Sequence, residues 1–223
     1  MKRSHLVTAI IFFVLIIDQV SKIYIKTNFE YASGFTLFGM DWARIHFVEN
    51  DGMAFGLSFG GVAGKYVLSI FRILLVMVLI YIIRGMIHAK ENKGLLIAFA
   101  LIIAGAIGNI IDSAFYGMIF SETPYHGGVI AEMFPEGGGY APFLQGKVVD
   151  MLYFPMYEGI LPDWVPFKGG KPFSFFNPVF NVADTSISLG VITILVFYRS
   201  FFKSEEDIRK ERELAEQNIG EEE

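Results

Sequence analysis

Four long apolar runs dominate the pattern of hydrophobic and polar positions along the chain. Each run is close to the ~20 residues that an α-helix needs to cross a hydrocarbon layer of ~30 Å. The sequence therefore predicts a mainly α-helical membrane protein with four transmembrane helices. The predicted spans cover about residues 6–25, 66–87, 95–115 and 182–202.

Two long segments separate these spans, at about residues 26–65 and 116–181. The first alternates apolar and polar residues over 43–48 and then meets the turn signal Asp51-Gly52, which is typical of β-structure. The second is rich in glycine, proline and aromatic residues and has no regular period. We therefore expect a small β-cradle on the membrane surface and an irregular outer cap.

Composition and charge support this picture. The chain is 53% hydrophobic with a mean hydropathy of +0.49, above an ordinary soluble domain. The net charge of −5 arises in residues 203–223, which hold four basic and nine acidic residues and leave 14 of each in 1–202. We therefore expect a single membrane domain over 1–202 and a charged tail over 203–223, with no nucleic-acid partner.

The positions of lysine and arginine predict the orientation of the helices. Basic residues flank the start of the first span, fill the short link between the second and third, and follow the fourth. By the positive-inside rule these ends are cytoplasmic, so both termini are cytoplasmic and both long segments lie outside. A cleaved signal sequence is the competing interpretation of the first run, but no small-x-small cleavage site follows it.

Polar residues interrupt the spans at the ends predicted to be outer. Carboxylates at such depth are usually paired, turned toward the bundle interior or placed in a wet cavity, so we expect one shared polar pocket. A stripe of small residues at Ala100, Ala104 and Gly108 would let a neighbouring helix approach closely. The polar residues are Asp18 and Lys22 in the first span, Asn109 and Asp112 in the third, and Asn181 and Asp184 at the start of the fourth.

Other functions remain open at this point. Asn181 or Asp184 could simply cap a helix, and Asp18 with Lys22 could form an interfacial ion pair. A small ion or solute transporter component, or a scaffold without catalysis, could use the same acidic pocket. The absence of cysteine excludes thiolate catalysis, and four scattered histidines give no zinc-binding spacing, so carboxylates are the best candidates for chemistry.

Five ordered sequence blocks resemble the lipoprotein signal peptidases, also called signal peptidase II. Together they run from Asp18 to Asp184, and the resemblance covers most of the chain except the charged tail. The blocks are Asp18-Gln19-Val20-Ser21-Lys22, Asn50-Asp51-Gly52-Met53-Ala54-Phe55, Gly108-Asn109-Ile110-Ile111-Asp112, Gly146-Lys147-Val148-Val149-Asp150 and Phe180-Asn181-Val182-Ala183-Asp184.

The resemblance implies a four-helix intramembrane aspartyl protease of the bacterial inner membrane, without a metal or organic cofactor. Such enzymes remove the signal peptide from diacylglyceryl-modified prolipoproteins, cutting before the lipidated cysteine, and globomycin-type depsipeptides inhibit them. The catalytic pair falls on Asp150 and Asp184, and we expect a monomer in contact with membrane lipid. The residues expected to surround or support the site are Asp18, Lys22, Asn50, Gly52, Gly108, Asn109, Asp112, Asn181 and Ala183.

Two departures from the family pattern bear on the site. Many members carry arginine where this chain has Ser113, and the intervals from Asp112 to Asp150 and from Asp150 to Asp184 are longer than is common. These intervals predict an enlarged outer cap. Two close carboxyls share one proton, and we expect Asp184, at a helix start, to hold the negative charge.

Overall fold

The computed structural model describes residues 2–51, 61–166 and 168–202. Within those ranges three helices are long and apolar enough to cross a membrane, and one shorter apolar helix follows them. This arrangement confirms the predicted mainly α-helical membrane fold. The helices are α1 (Arg3–Asn28), α2 (Gly61–His88), α3 (Lys93–Ile111) and α4 (Val182–Phe197).

The helix ends differ from the predicted bounds. α4 ends at Phe197 and a 3₁₀ turn follows at Arg199–Phe202, so the fourth span is shorter than expected. α3 continues past Ile111 through one π-helical turn, Asp112–Tyr116, and a last α turn, Gly117–Ile119. π-turns are rare and frequently occur at functional sites, and this one begins at a residue of the predicted pocket.

α3 is the central helix of the bundle. Its side chains are buried along most of its length, and they contact α1, α2 and α4. Glycines make the closest approach possible, since a Cβ on Gly105 would lie 2.2 Å from the backbone oxygen of Ala183 on α4. α1 and α2 instead expose large apolar side chains such as Phe13 and Phe71, as expected for helices that face lipid.

Strands β1, β2, β3 and β6 form the β-cradle, an antiparallel sheet in the order β1-β2-β3-β6. The sequence predicted β-structure around β2. The strands from residue 148 onward were not predicted from the sequence. Residues 120–147 are irregular, as expected. A separate two-stranded sheet pairs β4 with β5. The strands are β1 (Gly34–Leu37), β2 (Met40–Asn50), β3 (Val148–Tyr153), β4 (Tyr157–Ile160), β5 (Pro172–Phe175) and β6 (Val179–Phe180).

The cradle packs directly on the ends of α1 and α3. Ile25 of α1 and Tyr116 of the π-turn form one apolar cluster with Phe47 of β2 and Val149 of β3. Successive side chains of a strand point to opposite faces of the sheet. Because Val149 lies in this cluster, the side chain of its neighbour Asp150 points to the opposite face. β3 pairs with Val48 of β2 at Asp150 and with β6 at Leu152, so both neighbouring strands hold the part of β3 that carries Asp150.

Candidate active site

A buried lysine lies at the centre of the polar pocket. The Lys22 Nζ is 2.9 Å from Asp18 Oδ2, 2.8 Å from Asp112 Oδ2 and 2.9 Å from Asn109 Oδ1. Lys22 has no exposed surface, so its three donors are all directed at protein oxygens. A buried charge is tolerated only with this degree of pairing. The structure therefore places Asp18 and Lys22 inside the bundle, in place of an exposed interfacial ion pair.

Asp18 connects α1 to the start of α4. Its Oδ1 accepts a hydrogen bond of 2.8 Å from the backbone N–H of Ala183, in the first turn of α4, where a negative charge is favoured by the helix dipole. Gly108 of α3 makes room for this carboxylate, since a Cβ there would lie 2.6 Å from Asp18 Oδ2. Ala183 and Gly108 therefore support the site by their small size.

Gln19 was not among the predicted site residues, although it lies within the first motif block. Its side-chain amide donates to Asp112 Oδ1 at 2.9 Å and to Asp18 Oδ2 at 3.1 Å, and its Oε1 accepts from the Tyr116 hydroxyl at 3.2 Å. It thus ties together two carboxylates that both pair with Lys22. A polar residue directly after Asp18 in an apolar span was the signal that could have identified it.

Asp150 projects from β3 between two asparagine side chains. The Asn181 Nδ2 donates to Asp150 Oδ1 at 2.7 Å, and the Asn50 Nδ2 donates to Asp150 Oδ2. The same Asn181 amide lies 3.2 Å from Asn109 Oδ1. Asp150 is thereby joined to residues of β2, α3 and the start of α4, which are far apart in the sequence.

Asp184 is held in the first turn of α4 by a capping box. The Asn181 Oδ1 accepts from the Asp184 backbone N–H at 2.9 Å, and Asp184 Oδ2 accepts from the Asn181 N–H at 3.3 Å. The other oxygen, Oδ1, accepts from Asn109 Nδ2 at 2.8 Å. Asp184 is therefore part of a helix cap and also part of the polar pocket, so the two interpretations of this residue are compatible.

The two carboxyl groups differ in their surroundings. Asp150 is only 2% exposed, and this burial together with the negative charge of Asp184 raises the Asp150 pKa to about 8. Asp184 instead lies at the positive end of a helix and accepts two hydrogen bonds. A pKa of about 8 keeps Asp150 mostly protonated at neutral pH.

The pocket brings together most of the residues selected from the sequence. Ten of them contribute a side chain, a backbone N–H or the space that the pocket requires, and Gly52 lies outside the described residues. The charged tail expected at 203–223 lies outside them as well. The ten are Asp18, Lys22, Asn50, Gly108, Asn109, Asp112, Asp150, Asn181, Ala183 and Asp184.

Ser113 has a structural role in place of the charge that many family members carry there. It is buried, and its hydroxyl donates to the Asn109 backbone oxygen at 3.0 Å.

A second buried ion pair lies one turn beyond Lys22 on α1. Lys26 pairs with Glu49 of β2 and also donates to the Thr123 hydroxyl at 3.0 Å. Its ammonium group lies 5.5 Å from the ring centre of Phe120 and 5.2 Å from that of Tyr140. This cluster was not predictable from the sequence, because its members come from α1, the cradle and the cap.

The geometry does not suggest a metal centre. Among residues 2–51, 61–166 and 168–202, no group of three or more His, Asp or Glu side chains is placed to hold a metal ion. The carboxylates of the pocket are instead occupied by lysine, amide and backbone donors.

The chain is similar to known proteins over most of its length. A solved bacterial membrane enzyme, determined by the in meso method at 2.3 Å resolution, matches with a TM-score of 0.55 at 24% identity, over 89% of this chain and 92% of that chain. The lipoprotein signal peptidase of Porphyromonas gingivalis is 47% identical over 197 residues, covering 88% of this chain and 84% of the relative.

A more distant relative and a family model extend the comparison. The lipoprotein signal peptidase of Amoebophilus asiaticus is 36% identical over 189 residues, covering 83% of this chain and 74% of the relative. The family model described as signal peptidase (SPase) II matches residues 10–202, which include every predicted site residue. The chain therefore belongs to the signal peptidase II family.

Proposed function

We propose that this chain is an aspartyl endopeptidase that removes the signal peptide from diacylglyceryl-modified bacterial prolipoproteins, cutting before the lipidated cysteine. The observation that carries the proposal is the joining of Asp150 and Asp184 through Asn109 and Asn181. The Asn181 amide donates to Asp150 at 2.7 Å, and the Asn109 amide donates to Asp184 at 2.8 Å. Two carboxyls held in this way can share one proton.

In the proposed mechanism, Asp184 is the base and Asp150 is the acid. Asp184 removes a proton from a water molecule as the oxygen of that water attacks the carbonyl carbon of the scissile peptide bond. Asp150 donates a hydrogen bond to the oxyanion that develops, and a proton then passes to the leaving amine as the C–N bond breaks. The raised pKa of Asp150, about 8, supports this division of roles.

The surrounding residues have positioning roles in this scheme. Asn50 and Asn181 orient Asp150, and Asn109 orients Asp184. Lys22 bonds to Asp18, Asp112 and Asn109, and its link to the pair runs through the Asn109 side chain.

We further propose that residues 1–202 form one membrane domain in the cytoplasmic membrane, with both termini on the cytoplasmic side. The pocket then lies at the outer face, where the acyl chains of a substrate remain in the bilayer while its cleavage point reaches water. The basic residues at the other ends of the helices, such as Arg84 and Lys90, support this orientation. The protein would act as a monomer without a cofactor.

The test is cleavage of a synthetic lipidated prolipoprotein peptide by the purified full chain. Asp150→Asn and Asp184→Asn should each abolish cleavage, whereas Asp41→Asn, at an exposed position of β2, should retain it. A globomycin-type depsipeptide should inhibit the unaltered protein, and the same peptide without its lipid should not be cut. Substantial cleavage by either active-site variant, with thermal unfolding unchanged, would remove that residue from the catalytic pair.

A further inference from the structure

The β4–β5 hairpin lies between the two site carboxyls in the sequence but outside the cradle in space. We call residues 157–166 and 168–175 the outer hairpin. Its strands pair only with each other, as Tyr157 with Phe175 and Ile160 with Pro172, in a sheet separate from the cradle. An isolated two-stranded hairpin is only marginally stable in water, so this one requires another surface to pack against.

Large apolar side chains of the outer hairpin are exposed at its tip, where β4 ends and the connecting loop follows. Ile160 is 72% exposed and Trp164 is 80% exposed. Phe175 is also exposed, and it shares one face of β5 with Phe173 because alternate residues of a strand point the same way. In water, such a group of side chains marks an interaction site.

Aromatic contacts place the base of the outer hairpin beside the start of α4. The ring of Phe154, just before β4, lies 5.6 Å from that of Phe180, and Phe176, just after β5, lies 6.1 Å from it. Phe180 directly precedes Asn181, the N-cap of α4. α4 itself exposes apolar side chains such as Ile192, as a membrane helix does. The base of the outer hairpin therefore lies beside the outer end of a helix that faces lipid.

The charges of the outer hairpin do not favour an ionic partner. Glu158 and Asp163 are matched in number by Lys168 and Lys171. Attraction to anionic head groups would require an excess of basic residues. A tryptophan at the tip fits a different surface, because tryptophan side chains concentrate at the boundary between head groups and acyl chains.

We propose that the outer hairpin rests on the outer surface of the lipid bilayer, with Ile160 and Trp164 inserted at the boundary between head groups and acyl chains. Lipid is then the surface that the isolated hairpin requires. Because the hairpin connects β3 to β6, this contact also holds Asp150 and the start of α4 at a fixed depth relative to the membrane.

The test measures the fluorescence of Trp164 in the full chain reconstituted into phosphatidylcholine vesicles. The chain has two tryptophans, so Trp42→Phe leaves Trp164 as the only one. Lipids with bromine atoms at shallow or deep positions of the acyl chains quench a tryptophan at the corresponding depth. We expect bromines at shallow positions to quench Trp164 most strongly. Salt at roughly 0.5 M shortens the Debye length to a few ångströms and would screen an ionic contact, so it should leave the quenching unchanged.

A pair of variants in the Trp42→Phe background checks that the apolar tip causes the contact. Ile160→Ser should reduce the quenching by brominated lipid and increase the quenching by aqueous iodide, whereas Ile160→Leu should change neither. Trp164 emission that is quenched by iodide and not by brominated lipid would overturn the proposal. Emission insensitive to both quenchers would also overturn it, since protein and not lipid would then cover the tip. Neither measurement depends on peptidase activity.

Discussion

Replacing Gly105 with alanine tests whether the close contact between α3 and α4 holds the pocket together. A Cβ at this position would lie 2.2 Å from the Ala183 backbone oxygen and 2.7 Å from the Ile187 side chain. Atoms that are not bonded normally approach no closer than ~3.5 Å. The distance between α3 and α4 must therefore increase by about 1 Å to make room for the new methyl group. The side chain of Ile187 can rotate away, but the backbone of Ala183 can move only with α4.

The expected loss of stability combines two opposing terms. Alanine is favoured over glycine in a helix interior by about 1 kcal/mol, whereas overpacking a fitted interface costs about 1–3 kcal/mol. We therefore expect Gly105→Ala to destabilise the protein by up to about 2 kcal/mol, and to be about 1–3 kcal/mol less stable than a glycine-to-alanine variant at an open helix position. Gly85→Ala provides the matched control in α2, because a Cβ there would meet no atom within 4 Å.

The expected effect on catalysis follows from the position of Ala183 next to Asp184. A shift of α4 by about 1 Å would lengthen the 2.8 Å bonds from Asn109 to Asp184 and from Ala183 to Asp18 beyond hydrogen-bonding distance. Misplacement on this scale can reduce the rate about 100-fold. We expect a decrease of that order in kcat for the lipidated peptide.

Gly190→Ala separates loss of stability from displacement of the site. Its Cβ would lie 2.6 Å from the Ala98 backbone oxygen, in the same α3–α4 interface but about two turns further from the pocket. It should lower the unfolding temperature and reduce kcat less than Gly105→Ala does. If Gly105→Ala matched Gly85→Ala in both stability and kcat, the reasoning from helix contact to site geometry would be refuted.

Three further predictions concern charge and hydrogen bonding. The pKa of Asp150 is about 8 in the folded protein, compared with 3.8 for an ordinary aspartate, so the stability that Asp150 contributes should fall as pH rises between these values, and kcat should fall above pH 8. The unfolding temperature and the cleavage rate, measured as a function of pH, test both trends. Asp184→Asn should weaken the pH dependence of stability; an unchanged dependence would show that Asp184 does not influence the Asp150 pKa. Asn109→Asp replaces a hydrogen-bond donor to Asp184 with an acceptor and should lower kcat about 100-fold while the protein stays folded. Cleavage kinetics and thermal unfolding measure the two effects. Full activity of this variant would contradict the positioning role of Asn109. Lys26→Met leaves Glu49 buried without its partner and should lower the free energy of unfolding by about 3–5 kcal/mol. The double variant Lys26→Met with Glu49→Leu should regain much of this stability in an unfolding assay. An equal loss of stability in the single and double variants would refute the pairing.

The helices and much of the pocket could be predicted because their signals are local. An apolar run of sufficient length identifies a membrane helix by itself, and a carboxylate such as Asp18 or Asp112 within that run is costly enough to require a partner. The small-residue stripe likewise indicated that α3 would be approached closely, which the contact at Gly108 bears out. These inferences needed only the spacing of residues along one helix.

The remaining features depend on contacts between distant segments. The second outer segment gave no regular period, since β3 is buried on both faces and has no alternation of polar and apolar residues to detect. The Lys26–Glu49 pair joins α1 to β2 and the cap, and no pattern within either element indicates the other. Gln19 was visible in a motif block, but its role depends on Asp112, on a different helix.

The orientation of one amide group links the buried charges to the proposed catalytic pair. The Asn109 Oδ1 accepts from Lys22 at 2.9 Å and from Asn181 at 3.2 Å, so this end of the amide must be the oxygen. Its nitrogen then necessarily faces Asp184, to which it donates at 2.8 Å. A lysine can make only donor contacts, so replacing it with an acceptor would remove the reason for this orientation. Lys22 thus determines which atom of Asn109 Asp184 meets, although Lys22 and Asp184 are linked only through Asn109 among the described contacts. This role accounts for a fully buried cation close to the proposed catalytic carboxyls.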